Sequence, residues 1–213
     1  MAVFNLAGFH NKLRITDYTL DLTENATQSR SVGGLLNTAS SGPRLWNGRV
    51  TVGAYSHEGN RELHALTRSV QTVGNYFLFS PIKRQKPQKW LASQNWSSVQ
   101  ANGTQAGGYS LKLKGLPPNV ELRPGDYFHF VIGGTNRLFE IAESVTASAT
   151  GTATVTTTHP MTMSGIPAAN AAITFINPSV TCVLVPDSVS TGQIKNKYTE
   201  GVSFSFIQYV RPL

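Results

Sequence analysis

Three observations predict a mainly β fold for this chain of 213 residues. The run Leu122-Arg123-Pro124-Gly125-Asp126-Tyr127-Phe128-His129-Phe130 begins as a turn and passes directly into alternating aromatic and apolar residues. Pro124 presets φ, Gly125 supplies the positive φ of a type II turn, and the Asp126 side chain bonds nearby backbone. With Gly133-Gly134 and the run from Arg137 to Val145, it reads as a β-hairpin. Charged residues make up 14% of the chain, well under the ~25% of an average domain. Ser, Thr, Asn and Gly crowd the segments between apolar runs, as they do where turns are frequent. The segment Gly201 to Tyr209 alternates cleanly at Val202, Phe204 and Phe206, a strong strand that belongs in a main sheet.

Taken in order, Tyr18, Leu20 and Leu22 alternate with Thr19 and Asp21, the period of a half-buried strand. Ser29 to Gly42 reads as a flexible stretch. Trp46, Gly48, Val50 and Val52 alternate again with Asn47, Arg49 and Thr51. A helix is expected over His57 to Val73, because Leu63, Leu66, Val70 and Val73 form one stripe of a 3.6-residue repeat. Gly74 stops it, and Asn75 to Phe79 is a short aromatic strand ended by Pro81. Lys83-Arg84-Gln85-Lys86-Pro87-Gln88-Lys89-Trp90 reads as a linker at the strongest composition boundary. Tyr109 to Lys114 is a strand. Val145 to Thr156 reads as a second hairpin turning near Gly151, with threonines on its wet face. Ala172 to Ile176 and Val180 to Val185 are two more short strands, split by Asn177-Pro178.

The length fits one large domain or two small ones. The net charge of +7 points to acidic company: nucleic acid, an anionic surface or a neighbouring subunit. Cys182 is the single cysteine, set in the apolar run Val180 to Val185, and is expected to be a small buried hydrophobe. The start at Met1 to Ala7 lacks the basic and apolar regions of a secretory signal, and no stretch approaches a membrane span. Synthesis in a cytoplasm without bilayer insertion is the expectation. On that route the sequons at Asn25, Asn95 and Asn102 carry no weight.

No constellation for catalysis, metal or cofactor stands out. His10, His57, His64, His129 and His159 are scattered; His57 and His64 stand seven apart, too far for an i, i+4 metal pair. Glu140 and Glu143 are near neighbours in sequence, which does not by itself make a glycosidase pair. Gly107-Gly108 and Gly133-Gly134 match turn glycines, not a phosphate loop. The basic run Lys83, Arg84, Lys86 and Lys89, followed by Trp90 and Trp96, combines cations with stacking rings as single-strand nucleic-acid binders do. Its prolines break any continuous face, which favours a solvated linker or a subunit contact. Lys83, Arg84, Lys86, Lys89 and Trp90 are therefore the candidate subunit or partner contact.

The order of these pieces carries a resemblance. Asn75-Tyr76-Phe77-Leu78-Phe79-Ser80-Pro81 is followed by Leu111-Lys112-Leu113-Lys114-Gly115-Leu116-Pro117 and by Leu122 to Phe128. Then come Arg137-Leu138-Phe139-Glu140-Ile141, Thr150 to Val155, Ile176-Asn177-Pro178 and Gly201-Val202-Ser203-Phe204. From about Trp46 onward the chain resembles the distal tail proteins, or minor tail proteins, of long non-contractile-tailed bacteriophages. The resemblance implies a split-barrel or β-sandwich tail domain with one helix, built from residues 1–87 and 179–213. It also implies an inserted small β-barrel, OB-like or galectin-like, over residues 88–178. It further implies a non-enzymatic virion protein at the tail tip, forming a ring, a homo-hexamer in the family, between the tail tube protein and the tail hub with its receptor-binding apparatus. The inserted barrel would face side fibres or a host-surface glycan. Tube lumens in the family are typically acidic, whereas this chain is basic, so its positive groups are expected to face outward or to pair with acidic neighbours.

Two other function classes remain open at this point. A carbohydrate-binding module would use Tyr109, Tyr127, Trp90 or Trp96 as a stacking platform. A single-strand nucleic-acid binder would use the basic run with the same barrel.

Overall fold

The structure is a computed structural model that describes residues 3–24, 26–40, 42–103, 105, 108–161 and 165–210. Asn25, Thr104 of the sequon at Asn102, and Gly107 of the Gly107-Gly108 pair lie outside the described residues, as do Met1 and Ala2.

The fold is mainly β with one α-helix. In chain order the strands are β1 (Val3–Phe4), β2 (Ile15–Leu22), β3 (Ala26–Arg30), β4 (Leu36–Ser40) and β5 (Trp46–Val52), then the helix α1 (His57–Gln71) and β6 (Tyr76–Phe79). The middle of the chain supplies β7 (Gln100–Ala101), β8 (Ser110–Lys114), β9 (Glu121–Leu122), β10 (Tyr127–Ile132), β11 (Thr135–Glu140), β12 (Val145–Thr146) and β13 (Ala153–Thr156). The last three are β14 (Val180–Leu184), β15 (Ser190–Ile194) and β16 (Thr199–Gln208).

A seven-stranded sheet runs β1-β6-β14-β16-β5-β2, with β15 pairing the first half of β16. The β1–β6 pair is parallel and the other pairs of this sheet are antiparallel. The alternation at Val50, Val52, Val202, Phe204 and Phe206 places these side chains on the inner face. There they meet Phe9, Phe77, Phe79, Leu63 and Val70 in one apolar cluster. Helix α1 covers that face through the predicted stripe. Its N-terminus is capped by Ser56, whose side chain accepts from the Gly59 N–H at 3.3 Å; such a cap contributes about 1 kcal/mol. Val73 lies past the helix end and is exposed, not part of the stripe.

A second apolar cluster gathers Trp96, Leu111, Leu113, Leu122, Phe128, Phe130, Phe139, Val155 and Phe175. Around it stand three small sheets: β7-β8-β13, β9-β12 and β10-β11. Their ladders do not close into a continuous barrel. Single bridges at Ile141↔Thr157, Gln100↔Ala172 and His129↔Thr174 link their ends.

The β10–β11 hairpin is the predicted one. Gly125 has φ +88 and Asp126 N–H bonds Arg123 C=O at 3.0 Å, closing the turn before it. Gly133 and Gly134, with φ +55 and +78, form the two-residue connection between Ile132 and Thr135. The strand-period alternation continues through it, but both faces are covered. Phe128, Phe130 and Phe139 pack into the second cluster, while Tyr127 and Leu138 pack into the first. This hairpin is a wall shared by two cores.

Four expectations are corrected. The stretch from Ser29 to Gly42 is no unstructured loop: Ala26–Arg30 and Leu36–Ser40 pair antiparallel as a hairpin. Gly151 does mark a turn, yet its two arms diverge, Val145–Thr146 pairing Glu121–Leu122 and Ala153–Thr156 pairing Ser110–Lys114. Ala172 to Ile176 contributes only single bridges, at Ala172 and Thr174. The segment Lys83 to Trp90 is not a free linker; it folds in turns against the Pro124–Asp126 turn.

Candidate functional site

The basic run owes its shape to the buried carboxylate of Asp126. That side chain, 2% exposed, accepts from the Gln88 N–H and the Arg123 N–H, each at 2.9 Å. Gln88 also donates its side-chain amide to Pro124 C=O at 2.8 Å, and Asn177 N–H donates to Gln85 C=O at 2.7 Å. Burial raises the carboxyl pKa of Asp126, and the donated backbone hydrogen bonds oppose that rise.

Within this frame the five candidate residues separate. Arg84 donates to the Tyr127 hydroxyl at 2.9 Å and to Glu140 Oε1 at 3.3 Å, with its guanidinium 5.2 Å from the Tyr127 ring centre. Burial pushes the Tyr127 hydroxyl up to about 12, with the Glu140 charge adding to the rise and Arg84 opposing it. Lys86 holds its ammonium 3.5 Å from the centre of the Trp90 ring. Lys83, Lys86 and Arg84 line a hollow of about 290 Å³ with Gln88 and Pro124 to Asp126. Lys89 is exposed and lends its field to Glu121, which is held chiefly by the Arg123 guanidinium at 3.0 Å. Arg84 is exposed like Lys83 and Lys89 but, unlike them, has its guanidinium engaged by Tyr127 and Glu140.

The aromatic candidates do not form a platform. Trp96 and Tyr127 are buried at 5% and 6% exposure, and Trp90 lies under the Lys86 ammonium. Of the four, Tyr109 is the exposed one.

The histidines lie apart, and among the described residues no three His, Cys, Asp or Glu side chains gather. His129 and His159 are both structural seam residues. His129 Nδ1 accepts from the Ser179 N–H at 3.1 Å, and His159 stacks on Phe139 at 4.5 Å and meets Trp46 edge-on at 5.9 Å. Burial depresses both to about 4, helped at His159 by the Arg44 charge. Cys182 is fully buried, and its thiol pKa is raised well above the ordinary value by desolvation, as befits a packed hydrophobe.

The sequence reading missed the strongest surface feature, the β3–β4 arm. Every residue from Ala26 to Ala39 is exposed. Its tip is ordered by Ser31, whose carbonyl accepts from Gly34 N–H at 2.9 Å and whose N–H donates to Leu35 C=O at 2.9 Å. The tip presents Val32, Leu35 and Leu36, with Leu35 at 73% exposure. The available signal was the glycine pair Gly33-Gly34 between short polar and threonine-bearing runs, a hairpin connection by composition.

At the opposite end of β2 and β5 a cleft of about 340 Å³ opens between the chain at Lys12–Arg14 and the first turns of α1. Tyr55, Gly59, Leu63 and Leu66 line it, and the Lys12–Glu62 ion pair at 3.3 Å spans it. The Tyr55 hydroxyl fixes one wall by donating to Lys12 C=O at 3.0 Å and accepting from Arg14 N–H at 2.6 Å.

No described helix is long and apolar enough to cross a membrane. No protein-family model matches the chain, and no curated protein is similar to it at a significant level.

Proposed function

We propose that this protein is a self-assembling virion structural component, a distal tail ring that joins a phage tail tube to the tail-tip hub. The exposed β3–β4 arm carries the reading. A lone two-stranded hairpin is marginal in water, and one with an apolar tip gains stability when a neighbour covers it. The free edge of β2 and the short edge strand β15 add hydrogen-bonding margins that association would satisfy. The buried Asp126 clasp and the shared β10–β11 wall support the same reading, since they stiffen a subunit without building a reactive cleft.

The carbohydrate-binding alternative loses support from the burial of Trp96 and Tyr127. The nucleic-acid alternative loses support from the internal pairing of Arg84. Native mass spectrometry and negative-stain microscopy of the purified chain test the proposal. Closed rings, sixfold in the family's pattern, are the expected result. A monomer at all accessible concentrations, alone and with candidate tail partners, would overturn it.

A further inference from the structure

We propose that the Tyr55–Leu66 cleft takes a segment of a partner protein in which an apolar side chain stands next to a carboxylate. The partner is not another copy of this chain, and the proposal holds whether or not rings form. The cleft walls are fixed in advance. Tyr55 is held through its backbone, which exchanges hydrogen bonds with Thr199 at 3.0 and 2.9 Å. Its hydroxyl is held by Lys12 C=O and Arg14 N–H. Between those two residues Leu13 sinks into the first apolar cluster, which leaves Lys12 and Arg14 exposed on the rim. On the helix side Gly59 keeps the wall bare, since an added Cβ would lie 3.1 Å from the Tyr55 ring. A site whose parts are already held in place loses little order on binding.

Floor and rim ask for two different parts of one ligand. Leu63, Leu66 and the Tyr55 ring make an apolar floor within a volume of about 340 Å³. On the rim, Lys12 and Glu62 neutralise each other at 3.3 Å. Arg14 stands outside that balance. Its guanidinium lies 5.3 Å from the Tyr55 ring centre, and among the described residues no carboxylate is within ion-pairing distance of it. The cleft therefore keeps a positive charge at the edge of an apolar hollow. An aliphatic or aromatic side chain fills the hollow, and a neighbouring carboxylate accepts hydrogen bonds from the guanidinium.

Other occupants satisfy only half of this. A nucleic-acid strand would use the charge and leave the floor empty, and a neutral apolar segment would cover Arg14 without pairing it. A free amphiphile would stay wet on the rim side, where Lys12, Arg14, Ser56 and Glu62 are all exposed, whereas small-molecule sites enclose most of their ligand. A side chain carried on a larger body brings its own cover for the mouth. Most of the chain's positive excess lies in residues 1–87 and 179–213, which carry the cleft, so an acidic partner is also steered to this lobe.

Saturation-transfer difference NMR on the full chain tests the proposal with three blocked tetrapeptides: Gly-Leu-Glu-Gly, Gly-Leu-Gln-Gly and Gly-Ser-Glu-Gly. Transfer to the leucine methyls of the first is expected, with affinity about three- to five-fold lower for each of the other two. Arg14→Gln, at an exposed position, should abolish the preference for Glu over Gln, and Arg14→Lys should retain it. Absence of transfer to Gly-Leu-Glu-Gly, or a preference that survives Arg14→Gln, would overturn the proposal. Arg14-dependent binding of decanoate or of oligothymidylate, without peptide binding, would overturn it in favour of a free amphiphile or of nucleic acid. Native mass spectrometry should give Arg14→Gln the oligomeric state of the wild type. A changed state would put the cleft between copies and overturn the assignment to a different partner, while the self-assembly reading is judged by the rings alone.

Discussion

The indole N–H of Trp46 donates to the backbone carbonyl of Leu138 at 2.8 Å, tying β5 to the β10–β11 wall that both apolar clusters share. Around that bond Tyr127 meets the Trp46 ring edge-on at 5.6 Å, and Asn136 N–H donates to Thr181 Oγ1 at 2.8 Å. The seam therefore combines aromatic packing with hydrogen bonds that run in both directions along the chain.

Trp46→Phe keeps most of the packing and removes the donor. It is expected to lower unfolding free energy by about 1–3 kcal/mol, while Trp46→Ala lowers it by about 3–5 kcal/mol. Urea titrations followed by circular dichroism check both values. Because the β10–β11 wall belongs to both cores, the wild type should unfold in one transition by every probe.

Acid should weaken the protein through His129 and His159. Their folded-state pKa values of about 4 lie below the ordinary 6.5, so both are neutral when folded. Their contribution is complete above about pH 6.5, falls as the unfolded chain takes up protons, and is lost by about pH 4. Each amounts to roughly 3 kcal/mol at most. Asp126 and Glu140, with pKa values raised by burial, act with the opposite sign, favouring the folded state as pH falls through their folded values toward the ordinary carboxylate range. His159→Phe isolates the contribution of that histidine: stability measured from pH 7 to pH 4 should fall less steeply in the variant. Parallel curves for variant and wild type would remove His159 from this account.

Gly151 discriminates strain from open turn space. It sits at φ +73, and an added Cβ would lie 2.2 Å from Leu116 C=O, whereas at Gly133, with φ +55, nothing lies within 4 Å. Gly151→Ala should cost more than about 2 kcal/mol because backbone must move, and Gly133→Ala about 1 kcal/mol from the positive φ alone. Thermal melts of the two variants give the comparison.

Asp126→Asn places an amide where two backbone N–H groups converge. One of its termini must then face a donor with a donor, with a loss of about 2–4 kcal/mol. The Lys83–Trp90 segment should detach locally, seen as faster amide hydrogen exchange at Gln88 than in the wild type. Unchanged exchange there would mean that the clasp is held by other contacts.

The local period of the sequence made much of the fold legible. Trp46–Val52, Tyr76–Phe79, Thr199–Gln208 and the helix stripe at Leu63, Leu66 and Val70, though not Val73, show the burial their spacing predicts, and the Pro124-Gly125-Asp126 turn forms as its residue types require. Partner choice was less legible. Val145–Thr146 and Ala153–Thr156 look like hairpin arms because a glycine separates them. Each instead finds a better-covered neighbour, and that decision is made by burial against the second cluster, not by local spacing. The basic run misled for a related reason: charge and proline describe a linker locally, yet Asp126, nearly forty residues on, supplies the acceptors that fold it. The β3–β4 arm escaped because it buries nothing, so it has no apolar alternation to reveal it.

Strand β16 occupies an interior position in the seven-stranded sheet, between β14 and β15 on one side and β5 on the other. During translation, β2, β5 and α1 emerge long before residues 199–208 have left the ribosome. Until then the facing edges of β5 and β14 have no strand between them, and the aromatic cluster around Phe77 and Phe79 lacks Phe204 and Phe206. The middle segment, whose contacts fall largely within residues 96–175, has its own apolar cluster available first and can consolidate as a folded plug on the nascent chain. Completion of the main sheet therefore waits for residues 199–208, which are made after the whole of the middle segment.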